Sequence, residues 1–198
     1  MQKKIAQKKI GLFFGSFNPV HIGHTVIAGY MLEFTDLDEV WMVVSPHNPL
    51  KKKESLLSDT HRLLLVREAI GDNNRIKASN IEFNLPQPNY TIDTLAYLKK
   101  KHPAHKFVLI MGTDNLHNLH KWKNYEQLLA DYIIYAYNRP GFDGGKFKNH
   151  PSVKITEAPL MEISSSFIRQ AIKNKKDVRY LLSPAVAQYI KEMHFYEK

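Results

Sequence analysis

The sequence predicts an α/β protein: a doubly wound parallel sheet with helices on both faces, ending in a small helical element. Three observations carry this. Short apolar runs alternate with helix-like stretches along nearly the whole chain. The runs are apolar at successive positions rather than alternate ones, as strands covered on both faces require. Hydrophobic residues make up 43% and charged residues 24% of 198 positions, ordinary usage for one globular domain with its own core.

Taken in order, Ile10–Gly15 reads as the first buried strand. Val26, Ile27, Tyr30, Met31 and Phe34 follow at helical spacing. Val40–Ser45 (VWMVVS) is the second strand, and the polar stretch Pro46–Ser58 is a loop over the sheet. Asp59 is placed as the cap of a helix carrying Leu63, Val66, Arg67 and Ile70, which Gly71 ends. Ile76–Ile81 is a weaker third strand, followed by a helix over Thr91–Lys101. Phe107–Gly112 (FVLIMG) and Tyr132–Tyr137 (YIIYAY) are strong strands with a helix, Tyr125–Ala130, between them. Gly141–Ser152 is a second loop and Val153–Glu157 a sixth strand. Ser164–Lys173 follows a serine cluster, and Pro184–Met193 has Pro in its first turn. Such strand–helix–strand alternation is Rossmann-like. Repeats and low-complexity segments are absent, so residues 1–198 read as one domain. Within it, 1–8 is expected to be a flexible tail and 164–198 the C-terminal helical part.

Composition excludes several chemistries. With no cysteine, disulfides, thiol catalysis and Cys-bound zinc or iron–sulfur sites fall away. No run of 18 apolar residues occurs, and Lys3, Lys4, Lys8 and Lys9 are followed only by the short apolar Ile10–Phe14. A membrane span or secretory signal is therefore not expected, and a cytoplasmic protein is. Lys plus Arg exceeds Asp plus Glu by 28 to 19, a net charge of +9 that invites a polyanionic partner without choosing one.

The most informative segment is Gly11–His24, GLFFGSFNPVHIGH. Gly15 ends the first strand and lets backbone approach a ligand closely. His21 and His24 stand three apart at the entrance of a helix, on roughly one face of its first turn. A helix N-terminus offers free N–H groups and partial positive charge, so imidazoles there can donate to phosphate. The plain alternative is two surface histidines beside an ordinary βα turn. Near the far end, ISSSFIR (Ile163–Arg169) sets three hydroxyls and a guanidinium at another helix start. One serine there would be a cap; three with an arginine suit triphosphate oxygens.

GSFNPVHIGH resembles the (H/T)-x-G-H signature of the nucleotidyltransferase superfamily that also contains class I aminoacyl-tRNA synthetases. The resemblance implies that His21 and His24 contact ATP phosphates and that His24 stabilises transition-state charge. Bacterial members often carry Asp at the position of Asn18. ISSSFIR resembles the same superfamily's I-S-x-T-x-I-R motif, with Ser166 at the Thr position.

The middle of the chain narrows the family. MGTDNLHNLHKWKNYEQLL (Met111–Leu129), NYTIDTL (Asn89–Leu95), NRPGF (Asn138–Phe142) and the terminal stretch Tyr180–Tyr196 look like nicotinate-nucleotide adenylyltransferase, over roughly Lys9 to Tyr196. That family joins nicotinate mononucleotide to the AMP part of ATP, releasing pyrophosphate. The resemblance implies catalytic residues His21, His24 and Arg169. It implies an ATP site of Gly15, Ser16, Phe17, His21, His24, Gly112, Asp114 (on the loop after the fourth strand, binding ribose), Ser164, Ser165, Ser166 and Arg169. Nicotinate mononucleotide would meet Ser16, Lys51, Thr91, Trp122, Lys123 and Arg139. There Trp122 stacks on the pyridine ring and the amides of Thr91 and Lys123 take its carboxylate. Lys51, in SPHNPLKKK, is assigned the mononucleotide phosphate; its alternative is membership of a solvated charge run.

The chemistry follows from charge. A phosphate monoester has a second pKa of about 6, so at neutral pH it is mostly dianionic and attacks without a general base. The obstacle is repulsion between polyanions, which positive charge and positioning overcome. Mg²⁺ is expected to travel on the substrate phosphates, with no protein metal ligands. Expected partners are ATP and nicotinate mononucleotide, without nucleic acid or membrane; a homo-oligomer is compatible. The competing readings are pantetheine-phosphate adenylyltransferase, a preference for nicotinamide mononucleotide, and a noncatalytic nucleotide- or RNA-binding module.

Overall fold

The computed structural model describes residues 6–46 and 56–197. Six strands form one parallel sheet: β1 (Lys9–Gly15), β2 (Glu39–Val44), β3 (Ile76–Ser79), β4 (Lys106–Gly112), β5 (Ile133–Tyr137) and β6 (Val153–Thr156). Their spatial order is β3-β2-β1-β4-β5-β6, every neighbour parallel. The chain leaves β1 towards β2 on one side and returns at β4 on the other. The carboxyl ends of β1 and β4 therefore flank the switch point, where a crevice opens in such sheets.

Among the described residues, seven α-helices cover the sheet: α1 (Ile22–Glu33), α2 (Asp59–Ile70), α3 (Thr91–Lys101), α4 (Thr113–His117), α5 (Tyr125–Asp131), α6 (Ser165–Lys173) and α7 (Pro184–Glu192). One face packs Phe13, Met42, Val44, Val108 and Ile110 against Ile27 and Met31 of α1 and Leu65 and Val66 of α2. The C-terminal part adds Ile168, Leu182, Val186 and Ile190 to that same cluster. The other face packs Leu12, Val43, Leu109, Met111 and Ile134 against Leu95 and Leu98 of α3, Leu116 of α4 and Leu128 of α5. Adjacent residues of one strand thus serve opposite cores, which is why the strands read as unbroken apolar runs.

The structure corrects several boundaries. The third strand stops at Ser79, and Ile81–Asn84 forms a 3-10 turn instead. Ser58 caps α2 by accepting from His61 N–H, while Asp59 sits in the first turn and pairs with Arg62. Asp114 lies not on a loop but in the first turn of α4, because Gly112 is already the extended cap residue. Phe34 falls beyond α1, 73% exposed and stacked on Tyr30, so the apolar spacing overran the core stripe there. The loop Gly141–Ser152 contains a 3-10 turn that buries Phe147. Lys8, assigned to the tail, is tied down: its N–H donates to His105 Nδ1 and its ammonium pairs with Glu39. Lys51 lies outside the described residues.

Candidate active site

Two cavities meet at the carboxyl edge of the sheet. The first, about 310 Å³, is lined by Gly15, Ser16, Phe17, His21, His24, Asp114, Arg139, the serines 164, 165 and 166, and Arg169. The second, about 430 Å³, is lined by Gly15, Ser16, Thr91, Gly112, Asp114, Trp122 and Lys123 among others. Phe13, Phe14, Gly15, Ser16, Asp114 and Tyr137 form a common wall.

The histidine segment builds the first cavity. His21 is the N-cap of α1, with extended backbone, and is buried rather than a surface residue. Its N–H donates to His24 Nδ1 at 3.2 Å, so in a neutral His24 ring the proton resides on Nε2. The two rings lie 3.8 Å apart at 33°. Phe17, fully buried with φ 44°, sets its ring edge-on to His24 at 5.0 Å. Burial, and then the nearby Arg139 charge, push the His21 imidazole down to a pKa of about 4, so it is neutral at physiological pH. Its Nδ1 is buried with no hydrogen-bond partner among the described residues.

The serine segment is sewn onto this loop. Ser164 caps α6 by accepting from Phe167 N–H, as the capping alternative holds for a single serine. Ser165 donates to the Pro19 carbonyl at 2.9 Å. Arg169 donates to the Asn18 carbonyl at 2.7 Å and to Ser166 Oγ at 3.3 Å. Asn18 is buried, and its side-chain oxygen accepts from Leu57 N–H and from the Tyr196 hydroxyl. A neutral amide suits that enclosed position better than a carboxylate. Two motifs about 140 residues apart thereby share hydrogen bonds across one cavity.

Asp114 and Gly112 link the two cavities. A Cβ at position 112 would run into the Asp114 carboxylate and the Arg139 side chain, so the missing side chain sets both. Asp114 Oδ1 is buried and has no hydrogen-bond partner among the described residues. Arg139 donates to the Met161 carbonyl at 3.0 Å and lies on the wall of the histidine cavity, not with Trp122.

The second cavity combines a helix N-terminus with rings. Thr91 opens α3, where the first N–H groups have no intrahelical acceptor. Lys123 holds Asp93 at 2.8 Å and lies over the Tyr90 ring, fixing the chain beside Trp122, which is half-buried. Residues not singled out from sequence also line this space. Glu82 is buried, accepts from Thr94 Oγ1 at 2.7 Å, and is held above the usual carboxyl range by burial. Asn89 Oδ1 is buried without a hydrogen-bond partner among the described residues. Tyr137 is pushed up to about 12 by burial, with Asp114 adding to the shift and Arg139 opposing it. A carboxylate and a tyrosine inside otherwise apolar segments were the signals for Glu82 and Tyr137.

Hydroxyls, imidazoles, guanidinium groups and helix amides around one crevice suit a ligand rich in phosphate. Residues 12–171 match the cytidylyltransferase-like family, which sets the class as nucleotidyl transfer. The chain is 57% identical over 192 residues to a probable nicotinate-nucleotide adenylyltransferase of Flavobacterium psychrophilum, covering 96% of this chain and 100% of that relative. A counterpart from Flavobacterium johnsoniae is 53% identical with the same coverage. The chain belongs to this nicotinate-nucleotide adenylyltransferase family. Its fold is also that of Plasmodium falciparum nicotinic acid mononucleotide adenylyltransferase complexed with NaAD, at a TM-score of 0.82 and 22% identity, covering 96% of this chain and 98% of that one.

Proposed function

We propose that the enzyme transfers the AMP moiety of ATP to nicotinate mononucleotide, giving nicotinate adenine dinucleotide and pyrophosphate. The observation that carries this reading is the pair of cavities with one common wall, one lined by hydroxyls, imidazoles and guanidinium groups and the other by Trp122 and the start of α3. The names of the relatives agree with it.

In this reading ATP occupies the first cavity. The hydroxyls of Ser164, Ser165 and Ser166 and the Arg169 guanidinium hold the β- and γ-phosphates. His24 Nε2–H donates to the α-phosphate, and His21 keeps that ring in place through its backbone N–H. Asp114 accepts from a ribose hydroxyl, which satisfies its unpartnered oxygen. Gly15, Ser16 and Phe17 form the floor, and Gly112 leaves room for Asp114. The mononucleotide stacks on Trp122, its carboxylate facing the amides of Thr91 and Lys123. Arg139, on the histidine side, neutralises charge near the reacting phosphates; Lys51 is assigned the mononucleotide phosphate.

A phosphate oxygen of the mononucleotide attacks the α-phosphorus in line. The new P–O bond forms as the bond to the β-phosphate oxygen breaks, and pyrophosphate leaves with the electron pair. No proton need be removed from the nucleophile. Among the described residues no three His, Asp or Glu side chains are grouped to hold a metal, and Asp114 is the lone carboxylate common to both cavities. That donor set fits Mg²⁺ carried on the triphosphate, where it supplies charge neutralisation. With no helix long and apolar enough to cross a membrane among the described residues, a soluble cytoplasmic site of action is proposed.

Incorporation of labelled AMP from ATP into dinucleotide, with nicotinate and nicotinamide mononucleotides in parallel, tests the assignment. Turnover with a preference for nicotinate is expected. A preference for the amide overturns the nicotinate assignment, and no turnover with either favours a binding module.

A further inference from the structure

Arg62 lies on α2 with no exposed surface. A guanidinium cannot shed its proton to escape burial, so its charge must be met by acceptors in place. Five hydrogen bonds do this. Nε donates to the Leu57 carbonyl at 3.1 Å, and Nη2 to the Pro46 carbonyl at 3.1 Å and Asp59 Oδ1 at 2.5 Å. Nη1 donates to the carbonyls of Ser16 at 2.6 Å and Ser45 at 2.8 Å.

These acceptors come from separate stretches of chain: the segment after β1, the end of β2, and the entry to α2. Ser16 lines both cavities and Ser45 the second. Ser45 N–H also donates to the Gly15 carbonyl at 2.9 Å, so the same two stretches are held together twice. Asp59, the one charged acceptor of the five, is the outer anchor, its side chain 40% exposed.

Resting on the assignment of the second cavity to nicotinate mononucleotide, we propose that Arg62 is a positioning residue for that substrate. Its guanidinium fixes the spacing between Ser16 and Ser45, and with it the width of the cavity. Arg62 touches no substrate; it acts through the backbone of Ser16 and Ser45. Lysine keeps the charge, but its single nitrogen replaces Nη1 alone; it lacks the Nε bond to Leu57 and the Nη2 bonds to Pro46 and Asp59 that hold Nη1 between Ser16 and Ser45.

The test is steady-state kinetics of R62K and D59N, each substrate varied separately, beside thermal unfolding and calorimetric binding of nicotinate mononucleotide alone. For folded R62K, KM and Kd for the mononucleotide are expected to rise about tenfold, with KM for ATP and kcat changing less than about threefold. D59N keeps the guanidinium and its carbonyl bonds and raises the same two constants by about threefold, with KM for ATP and kcat as in the wild type. If R62K does not fold, D59N decides. A purely structural Arg62 lowers the folded fraction, so kcat falls while both KM values hold, and that result overturns the proposal. Equal rises in both KM values overturn it as well. Wild-type turnover and binding in the same assays check the mononucleotide assignment separately. A wild type silent towards nicotinate mononucleotide removes that assignment and the proposal with it.

Discussion

The two ends of the one sheet are built on opposite rules. At the amino end, charge is answered by charge. Glu39, with a side chain only 5% exposed, pairs with Lys8 and Lys77 and accepts from Trp41 Nε1. Lys9, Asp36 and Tyr135 close a second cluster, the Tyr135 hydroxyl donating to Asp36 at 2.5 Å. At the carboxyl end, His21 Nδ1, Asn89 Oδ1 and Asp114 Oδ1 are buried and lack hydrogen-bond partners among the described residues. All three residues line the cavities. An unmet buried polar atom costs stability, so its concentration at one edge marks groups kept for a ligand. One end of the sheet holds the fold, and the other holds chemistry in reserve.

That contrast is open to direct attack. The largest effect is expected at the carboxyl end: His24→Ala should lower kcat by about 10²- to 10³-fold, the usual cost of one transition-state donor, with thermal unfolding nearly unchanged. Full retained turnover would remove His24 from the chemistry. Next is a pH effect on stability. The folded His21 refuses protonation until about pH 4, while the unfolded ring accepts a proton near its ordinary value of 6.5. The unfolded chain therefore binds more protons between those values, and stability falls as pH drops from 6.5 to 4. The ligand-free enzyme should lose on the order of 3 kcal/mol over that window through this residue. Denaturant titrations of wild type and His21→Asn should diverge there; parallel curves would mean the ring is not held neutral. At the amino end, Glu39→Gln should cost about 2 kcal/mol of stability while leaving kcat and both KM values unchanged. A loss of turnover per folded molecule would dissolve the division between the ends. The mildest is Trp122→Ala, expected to raise KM for the mononucleotide about tenfold with little change for ATP. Equal effects on both substrates would break the separation of the cavities.

The strands are legible in the sequence because each is buried on both faces, and double burial leaves apolar residues at successive positions. The histidine and serine motifs are legible because each places polar groups at a helix entrance. Partnership is what the sequence hides. Nothing in the spacing distinguishes Arg62 from Arg67 on the same helix, yet the first is enclosed and the second is exposed. Enclosure is decided by which loops fold over the helix, a tertiary fact. Asp114 is displaced by one element for a related reason: Gly112 ends the strand and caps a helix too short to show a period. The resemblance gives Arg139 to nicotinate mononucleotide without saying which part of it; hidden in the sequence is that its side chain lies on the wall of the histidine cavity, donating to the Met161 carbonyl.

The common wall between the cavities has a thermodynamic consequence. A ligand spanning both loses its translational freedom once and gains the contacts of two halves. With the substrates placed as proposed, the dinucleotide product is such a ligand, and it is expected to compete against either substrate at concentrations below their KM values. Inhibition constants above both would show that the halves bind independently. Inhibition constants below both would make the common wall a bisubstrate trap, with clearing the product part of the catalytic problem.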